Sequence, residues 1–407
     1  MDGAVGHRFE IAKSCTQSGA RAGLITTPRG SLPTPLFLPV GSQGTVKAMT
    51  PDDLKTIGVK MVLGNTYHLY LRPGIGVVES LGGLHRFMAW ESPILTDSGG
   101  YQVFSLAPLR RICDEGVCFR SHIDGSEHRF TPENVIQFQE RLGSEIAMPL
   151  DECPPYGGER VLIRESMERT HRWAERSLKC HRRADQDLYG IVQGGVFPEL
   201  RRESAASLTS LGFSGYAIGG LSLGEPKKVT LAVAEETISF LPKERPRYLM
   251  GVGSPEDLLE CVARGVDMFD SALPTRTARN GALFTTQGRY NIQNACYKDM
   301  DEAVDKDCDC YTCRGFSVAY LHHLFKSKEL LAYRLATIHN LSFIIRLMES
   351  IRQAIMDDCF VGLKDSFLAS YRTTDEETRL LQKQKWLDRS PKTPGEGNST
   401  KNASIIT

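Results

Sequence analysis

Eight short apolar runs recur along the chain, each leading into Gly, Asp or Gln: Pro35–Val40, Met61–Gly64, Ile94–Asp97, Ile146–Asp151, Leu188–Gln193, Tyr216–Gly220, Tyr248–Gly251 and Met268–Asp270. Continuous runs of this kind predict buried strands, and eight is the number that a (β/α)₈ barrel requires. Helices are legible between them. Thr50-Pro51-Asp52-Asp53 supplies an N-cap, a proline at the first helical position and an acid at N3, with Gly58 as the stop. Thr131-Pro132-Glu133 and Ser254-Pro255-Glu256-Asp257 repeat the device. Further helices are predicted over Val161–Arg183, Pro198–Leu211 and Pro226–Phe240, and the alternation argues for parallel strand pairing. An open doubly wound sheet is the alternative. Its Gly-x-Gly-x-x-Gly turn is missing, because Gly41-Ser42-Gln43-Gly44 does not continue the motif.

Two stretches depart from a plain barrel. Residues 98–143 are long for one connection, and Val117–Ser121 with His128–Phe130 predicts a small hairpin above the third strand. After Gly281 an insert delays the next long helix, and Lys328–Arg352 reads as a closing helical layer. The expected division is 1–281 for the main part of the barrel, 282–327 for the insert and 328–375 for the closing helices. The tail over 387–407, rich in Pro, Gly, Ser, Asn and Lys, is expected to be disordered.

Charge narrows the function classes. Lys+Arg and Asp+Glu both number 49 in 407 residues, so no global basic field exists and any nucleic-acid contact must use local patches. Met1 to Ala20 is polar, without the apolar core of a signal peptide, and no apolar run approaches bilayer length. A reducing cytoplasm is the expected compartment, and Asn398 and Asn402 are chance matches to glycosylation triplets.

The eleven cysteines are scattered except for one cluster. Cys308-x-Cys310-x-x-Cys313 with His339 offers three thiolates and an imidazole, a set that suits tetrahedral zinc. Four protein ligands leave no open position, so the zinc is expected to be structural and to tie the insert to the closing layer. Free thiols beside a core histidine are the plainer alternative.

In a barrel the chemistry sits where strands end. Here those ends carry Asp97 and Ser98, Asp151 and Cys153, Gln193-Gly194-Gly195, Gly219-Gly220-Leu221, Met250-Gly251 and Asp270, the last followed by Arg276 and Arg279. Carboxylates, an amide and bare glycine backbone suit a flat, hydrogen-bonding heterocycle that Tyr101 or Met250 would sandwich. The acids Asp97 and Asp270 also suit chemistry at a sugar anomeric carbon, one as nucleophile and one moving protons. Each taken singly also suits the satisfaction of loop amides.

Leu95-Thr96-Asp97-Ser98-Gly99-Gly100-Tyr101-Gln102-Val103-Phe104-Ser105, Gly190-Ile191-Val192-Gln193-Gly194-Gly195, Ala217 through Pro226, Arg247 through Gly253 and Met268 through Arg279 resemble tRNA-guanine transglycosylase, in register from about residue 7 to 372. The resemblance implies a (β/α)₈ TIM barrel with an inserted zinc-binding subdomain near the C-terminus. It implies exchange of the wobble guanine of GUN-anticodon tRNAs for a 7-deazaguanine on the way to queuosine. Asp270 would be the nucleophile at ribose C1′ and Asp97 the general acid/base. Asp151, Gln193 and the Gly220 amide would read the base, Ser98 and Leu221 would assist, and Tyr101 and Met250 would stack on it. Arg276 and Arg279, with cations of the zinc insert, would hold phosphates of a splayed anticodon loop.

Asp151-Glu152-Cys153 and the bulky Leu223 resemble the bacterial type, which uses 7-aminomethyl-7-deazaguanine, although bacterial members usually carry Val where this chain has Leu223. The resemblance further implies a homodimer through the zinc region, with Phe316, Tyr320 and His323 as its aromatic patch. A non-catalytic tRNA-binding relative is the first rival, opposed by the presence of both Asp97 and Asp270. The second is a metal-dependent barrel hydrolase, opposed by the lack of a His-x-His after the first strand.

Overall fold

The computed structural model describes residues 8–106, 109–373 and residue 381. Eight parallel strands close into a barrel: β1 (Leu36–Gly41), β2 (Val62–Asn65), β3 (Ile94–Asp97), β4 (Ile146–Ala147), β5 (Asp187–Val192), β6 (Gly215–Ile218), β7 (Arg247–Leu249) and β8 (Met268–Ser271). β8 pairs with β1, Met268 opposite Leu36 and Asp270 opposite Leu38, which rules out the open sheet. The predicted helices stand between the strands at Pro51–Thr56, Pro132–Leu142, Arg160–Cys180, Pro198–Leu211, Lys227–Ser239 and Pro255–Ala263. Thr50 and Thr131 each form a reciprocal capping box, closed at N3 by Asp53 and Asn134. Ser254 does not cap in this way, since its hydroxyl donates to Asp257 Oδ2 at 2.5 Å.

β4 is shorter than the run Ile146–Asp151 predicts. The side-chain amide of Gln139 takes the place of a ladder neighbour, with Oε1 accepting from Met148 N at 2.9 Å and Nε2 donating to Met148 O at 2.8 Å. The backbone is thereby satisfied while the chain peels away towards Asp151.

The barrel interior is filled by Leu36, Leu38, Leu63, Leu95, Ile146, Tyr189, Ile191, Tyr248 and Met268. Ile25 and Leu32 join that cluster from an antiparallel sheet of Arg8–Ser14, Arg21–Thr27 and Gly30–Thr34, which sequence reasoning did not anticipate. Arg21 fastens this sheet to the base of β8 through two hydrogen bonds to the buried Asp267 carboxylate, at 2.8 and 2.6 Å. The hairpin expected above β3 is present as Gly116–Arg120 and Glu127–Phe130, extended by a third strand, Arg110–Cys113. Beyond β8 come a hairpin of Ala282–Thr285 and Gly288–Asn291, the cysteine cluster, and the long helix Leu330–Met356, which packs on the barrel wall. The tail over 387–407 lies outside the described residues.

Candidate active site

The loops that follow the strands enclose a cavity of about 800 Å³. Asp270, near the end of β8, lines it, and its Oδ1 accepts two hydrogen bonds, from Tyr248 Oη at 2.6 Å and from Gly251 N at 3.0 Å. Both fall on one oxygen, which leaves Oδ2 to the cavity. Burial raises the Asp270 pKa above the ordinary carboxylate value, and the Tyr248 and Gly251 bonds oppose that rise by favouring the ionised form.

Asp97 ends β3 with Oδ1 accepting from Thr66 N at 3.1 Å and Oδ2 from Asn65 Nδ2 at 2.5 Å. Burial, with the negative charges of Asp270 and Asp151 adding to it, pushes its pKa up to about 8 against those hydrogen bonds. At neutral pH Asp97 therefore keeps its proton beside a second acid, Asp270, whose two hydrogen bonds oppose the effect of burial and support its charged form, a difference in environment that separate acid and nucleophile roles need.

Asp151 stands just past β4, where Ser98 Oγ donates to Oδ1 at 3.3 Å and Gln193 Nε2 to Oδ2 at 2.8 Å. Burial lifts its pKa to about 6, so it is an acceptor at neutral pH. Gly220 has φ +68°, and a Cβ there would lie 2.5 Å from Gln193 Oε1. Only glycine leaves this backbone bare at the cavity wall. Burial, then the charge of Asp151, pushes the Cys153 thiol up to about 12, so Cys153 is a neutral wall residue and not a thiolate.

Of the residues singled out from the sequence, Asp97, Ser98, Tyr101, Asp151, Cys153, Gly220, Leu221, Met250, Asp270 and Arg276 line the cavity together, as does Leu223. Gln193 and Arg279 stand behind the wall: Gln193 Nε2 donates to Asp151 while its Oε1 has no partner, and Arg279 donates to Thr275 O at 2.9 Å. Arg289 and Arg372 also reach the cavity. Sequence reasoning missed Asn65 and Tyr248. Tyr248 lies two residues before Met250, so the strand period that turns Met250 inward turns Tyr248 inward as well.

The Sγ atoms of Cys308, Cys310 and Cys313 and one ring nitrogen of His339 all lie within 4.8 Å of one another, and all four residues are buried. His339 Nδ1 is 3.7, 3.8 and 3.2 Å from the three sulfurs. A tetrahedral zinc ion with ordinary Zn–S and Zn–N bonds has S···N edges of roughly 3.6 Å, so the four groups fit such an ion. His339 Nε2 is 2.7 Å from Phe284 O, which holds the ring proton on Nε2 and leaves Nδ1 free to coordinate.

A family model described as queuine tRNA-ribosyltransferase matches residues 15–373. A protein named queuine tRNA-ribosyltransferase from Dehalococcoides mccartyi is 57% identical over 379 residues, covering 93% of this chain and 97% of the relative. Proteins of the same name from Caldanaerobacter subterraneus subsp. tengcongensis and Staphylococcus epidermidis are 55% identical over 371 residues and 54% over 364. These alignments cover 91% and 89% of this chain and 99% and 96% of those relatives.

Proposed function

The chain belongs to the queuine tRNA-ribosyltransferase family, and we propose that it exchanges the wobble guanine of GUN-anticodon tRNAs for 7-aminomethyl-7-deazaguanine, a step towards queuosine. The observation that carries this reading is a proton-holding Asp97 and an anchored Asp270 carboxylate lining one cavity.

In the first displacement Asp270 Oδ2 forms a bond to ribose C1′ as the C1′–N9 bond of guanine breaks. The electron pair leaves on N9, which takes the proton of Asp97. In the second, the incoming base loses its N9 proton to Asp97, N9 bonds to C1′, and the Asp270 ester bond breaks. Asp151 suits the N1–H and 2-amino donors of the base edge, the Gly220 N–H suits its 6-oxo acceptor, and Ser98, Gln193 and Leu221 support them. Tyr101 and Met250 would cover the ring faces. Leu223 lines the cavity, and its bulk, assigned to the 7-substituent side, favours the aminomethyl base over queuine.

Arg276 and Arg279 are assigned to phosphates of the anticodon loop; Arg276, Arg289 and Arg372 line the cavity, and Arg279 lies behind its wall. Zinc, one ion per chain, is the metal that the Cys308, Cys310, Cys313 and His339 set would hold, and when bound it crosslinks the insert to the closing helix without entering the chemistry. Phe316 and Tyr320 stack at 5.5 Å with Tyr320 exposed, which suits their assignment with His323 to a homodimer contact. Among the described residues no helix is long and apolar enough to cross a membrane. A tRNA-modifying role favours the cytoplasm as its compartment.

The test is incorporation of radiolabelled guanine into unmodified tRNA with a wobble guanosine, chased with 7-aminomethyl-7-deazaguanine or with queuine. Displacement by the aminomethyl base alone supports the full reading. Displacement by queuine as well removes the Leu223 argument, and no incorporation by a folded, metal-loaded protein replaces catalysis with tRNA binding.

A further inference from the structure

Arg201 is fully buried in the first turns of the helix Pro198–Leu211, and no carboxylate among the described residues forms an ion pair with it. Its guanidinium is held by backbone carbonyls instead: Nε donates to Gly195 O at 2.8 Å, and Nη1 donates to Val192 O at 2.9 Å and Gly219 O at 2.8 Å. Nη2 has no partner. Burial lowers the pKa to about 10, so the group is still a cation at neutral pH. The charge of Glu225 acts on the group without a direct ion pair and offsets part of that lowering. Burying a cation is costly even so, and a residue that served packing alone would not need one.

The three carbonyls come from the ends of β5 and β6 and from the turn between β5 and the helix, the backbone that forms the wall behind Asp151 and Gly220. The Gly219 carbonyl matters most. In a trans peptide the C=O and the next N–H point in opposite directions. Fixing Gly219 O on Arg201 from behind therefore turns the Gly220 N–H forward, towards Cys153, whose thiol it meets. Gly220 and Cys153 both line the cavity. A thiol is a weak acceptor, so this N–H is only lightly engaged. A cation on the carbonyl oxygen also polarises the peptide and strengthens its N–H as a donor.

We propose that Arg201 is a positioning residue for base recognition: through the Gly219–Gly220 peptide it aims and strengthens one N–H towards an oxo group on the base. This rests on the function proposed above, in which that oxo group is O6 of a guanine-like ring. As the C1′–N9 bond breaks ahead of full proton transfer, negative charge develops on the ring and spreads onto O6, so the donor is worth more in the transition state than in the ground state.

The experiment compares direct binding of 7-deazaguanine and 2-amino-7-deazapurine, which differ in the oxygen at C6, to wild-type, Arg201→Met and Arg201→Lys holoenzymes, alongside guanine exchange into tRNA. Wild type is expected to favour the oxo base. Arg201→Met is expected to lose about tenfold in affinity for the oxo base, with little change for the other, so that the preference collapses. Arg201→Lys keeps the charge, loses the fork, and is expected to retain only part of the preference; it carries the test if the methionine variant fails to fold. Equal weakening for both bases, or an unchanged preference in either folded variant, overturns the role of Arg201. A wild-type protein that exchanges no guanine sinks the function itself, an outcome distinct from active variants whose preference does not move.

Discussion

Tyr248 donates its hydroxyl to Asp270 Oδ1 at 2.6 Å from a position wholly inside the barrel. The bond fixes the carboxylate rotamer and favours its charged form against burial. Tyr248→Phe keeps the ring and removes the donor. Turnover in guanine exchange is expected to fall about ten- to hundredfold, as for hydrogen bonds to charged groups. The acid limb of the pH–rate profile should move to higher pH, because the Asp270 pKa rises without its donor. A variant with the wild-type profile would detach Tyr248 from the reaction.

Asp270→Asn is expected to abolish exchange, by at least about 10³-fold, together with covalent trapping of tRNA on denaturing gels. Metal content should be unchanged. Wild-type-like exchange in this variant would defeat the nucleophile assignment.

Two further ionisations shape the pH dependence beside that of Asp270. Asp97, raised to about 8, holds its proton below that pH, so single-turnover release of guanine is expected to decline as pH rises through 8. Asp151, raised to about 6, is a carboxylate above that pH, so the KM for guanine is expected to climb as pH falls through 6. The effects of Asp97 and Asp151 therefore differ in kind, one in a rate constant and one in binding. A rate that stays level to pH 10 would be incompatible with Asp97 as the acid.

Metal analysis is expected to return one zinc per chain, and Cys308→Ala is expected to lose it. Removal should lower unfolding stability by several kcal/mol, read as a drop in melting temperature, because the ion links Cys308–Cys313 to a helix that lies on the barrel. An unchanged melting curve after verified metal loss would show that the cluster does not support the fold.

Arg21→Ala leaves the Asp267 carboxylate buried beneath the barrel with its principal partner gone. The expected cost is about 3–5 kcal/mol in chemical denaturation. Exchange kinetics at a permissive temperature should hold, since this pair lies at the end of β8 away from Asp270.

The barrel was legible because its strands are buried on both faces, and such strands read as unbroken apolar runs. The caps at Thr50 and Thr131 were legible because capping is local chemistry. The N-terminal sheet was not, since Arg8–Ser14 is largely exposed and the apolar contribution of the sheet to the barrel comes from isolated side chains such as Ile25 and Leu32. The shortness of β4 depends on Gln139, a residue of the preceding helix, and no pattern within Ile146–Asp151 encodes it. At the site, the acids and glycines announced themselves by lying where runs end. Tyr248 was hidden because a tyrosine inside an apolar run reads as packing, and its role lies in an oxygen that only the register of β7 against β8 brings to Asp270. Arg201 was hidden because its partners are carbonyls, which leave no mark in a sequence.

The pairing of β8 with β1 has a consequence for synthesis. The ring cannot close until residue 271 has emerged from the ribosome, by which time most of the chain is outside the exit tunnel with an unpaired strand at each edge. The seam is then covered by a helix made later still: Arg352 donates to Pro35 O at 2.8 Å, just ahead of β1. Nascent chains arrested before the helix Leu330–Met356 should therefore remain protease-sensitive and dependent on chaperones.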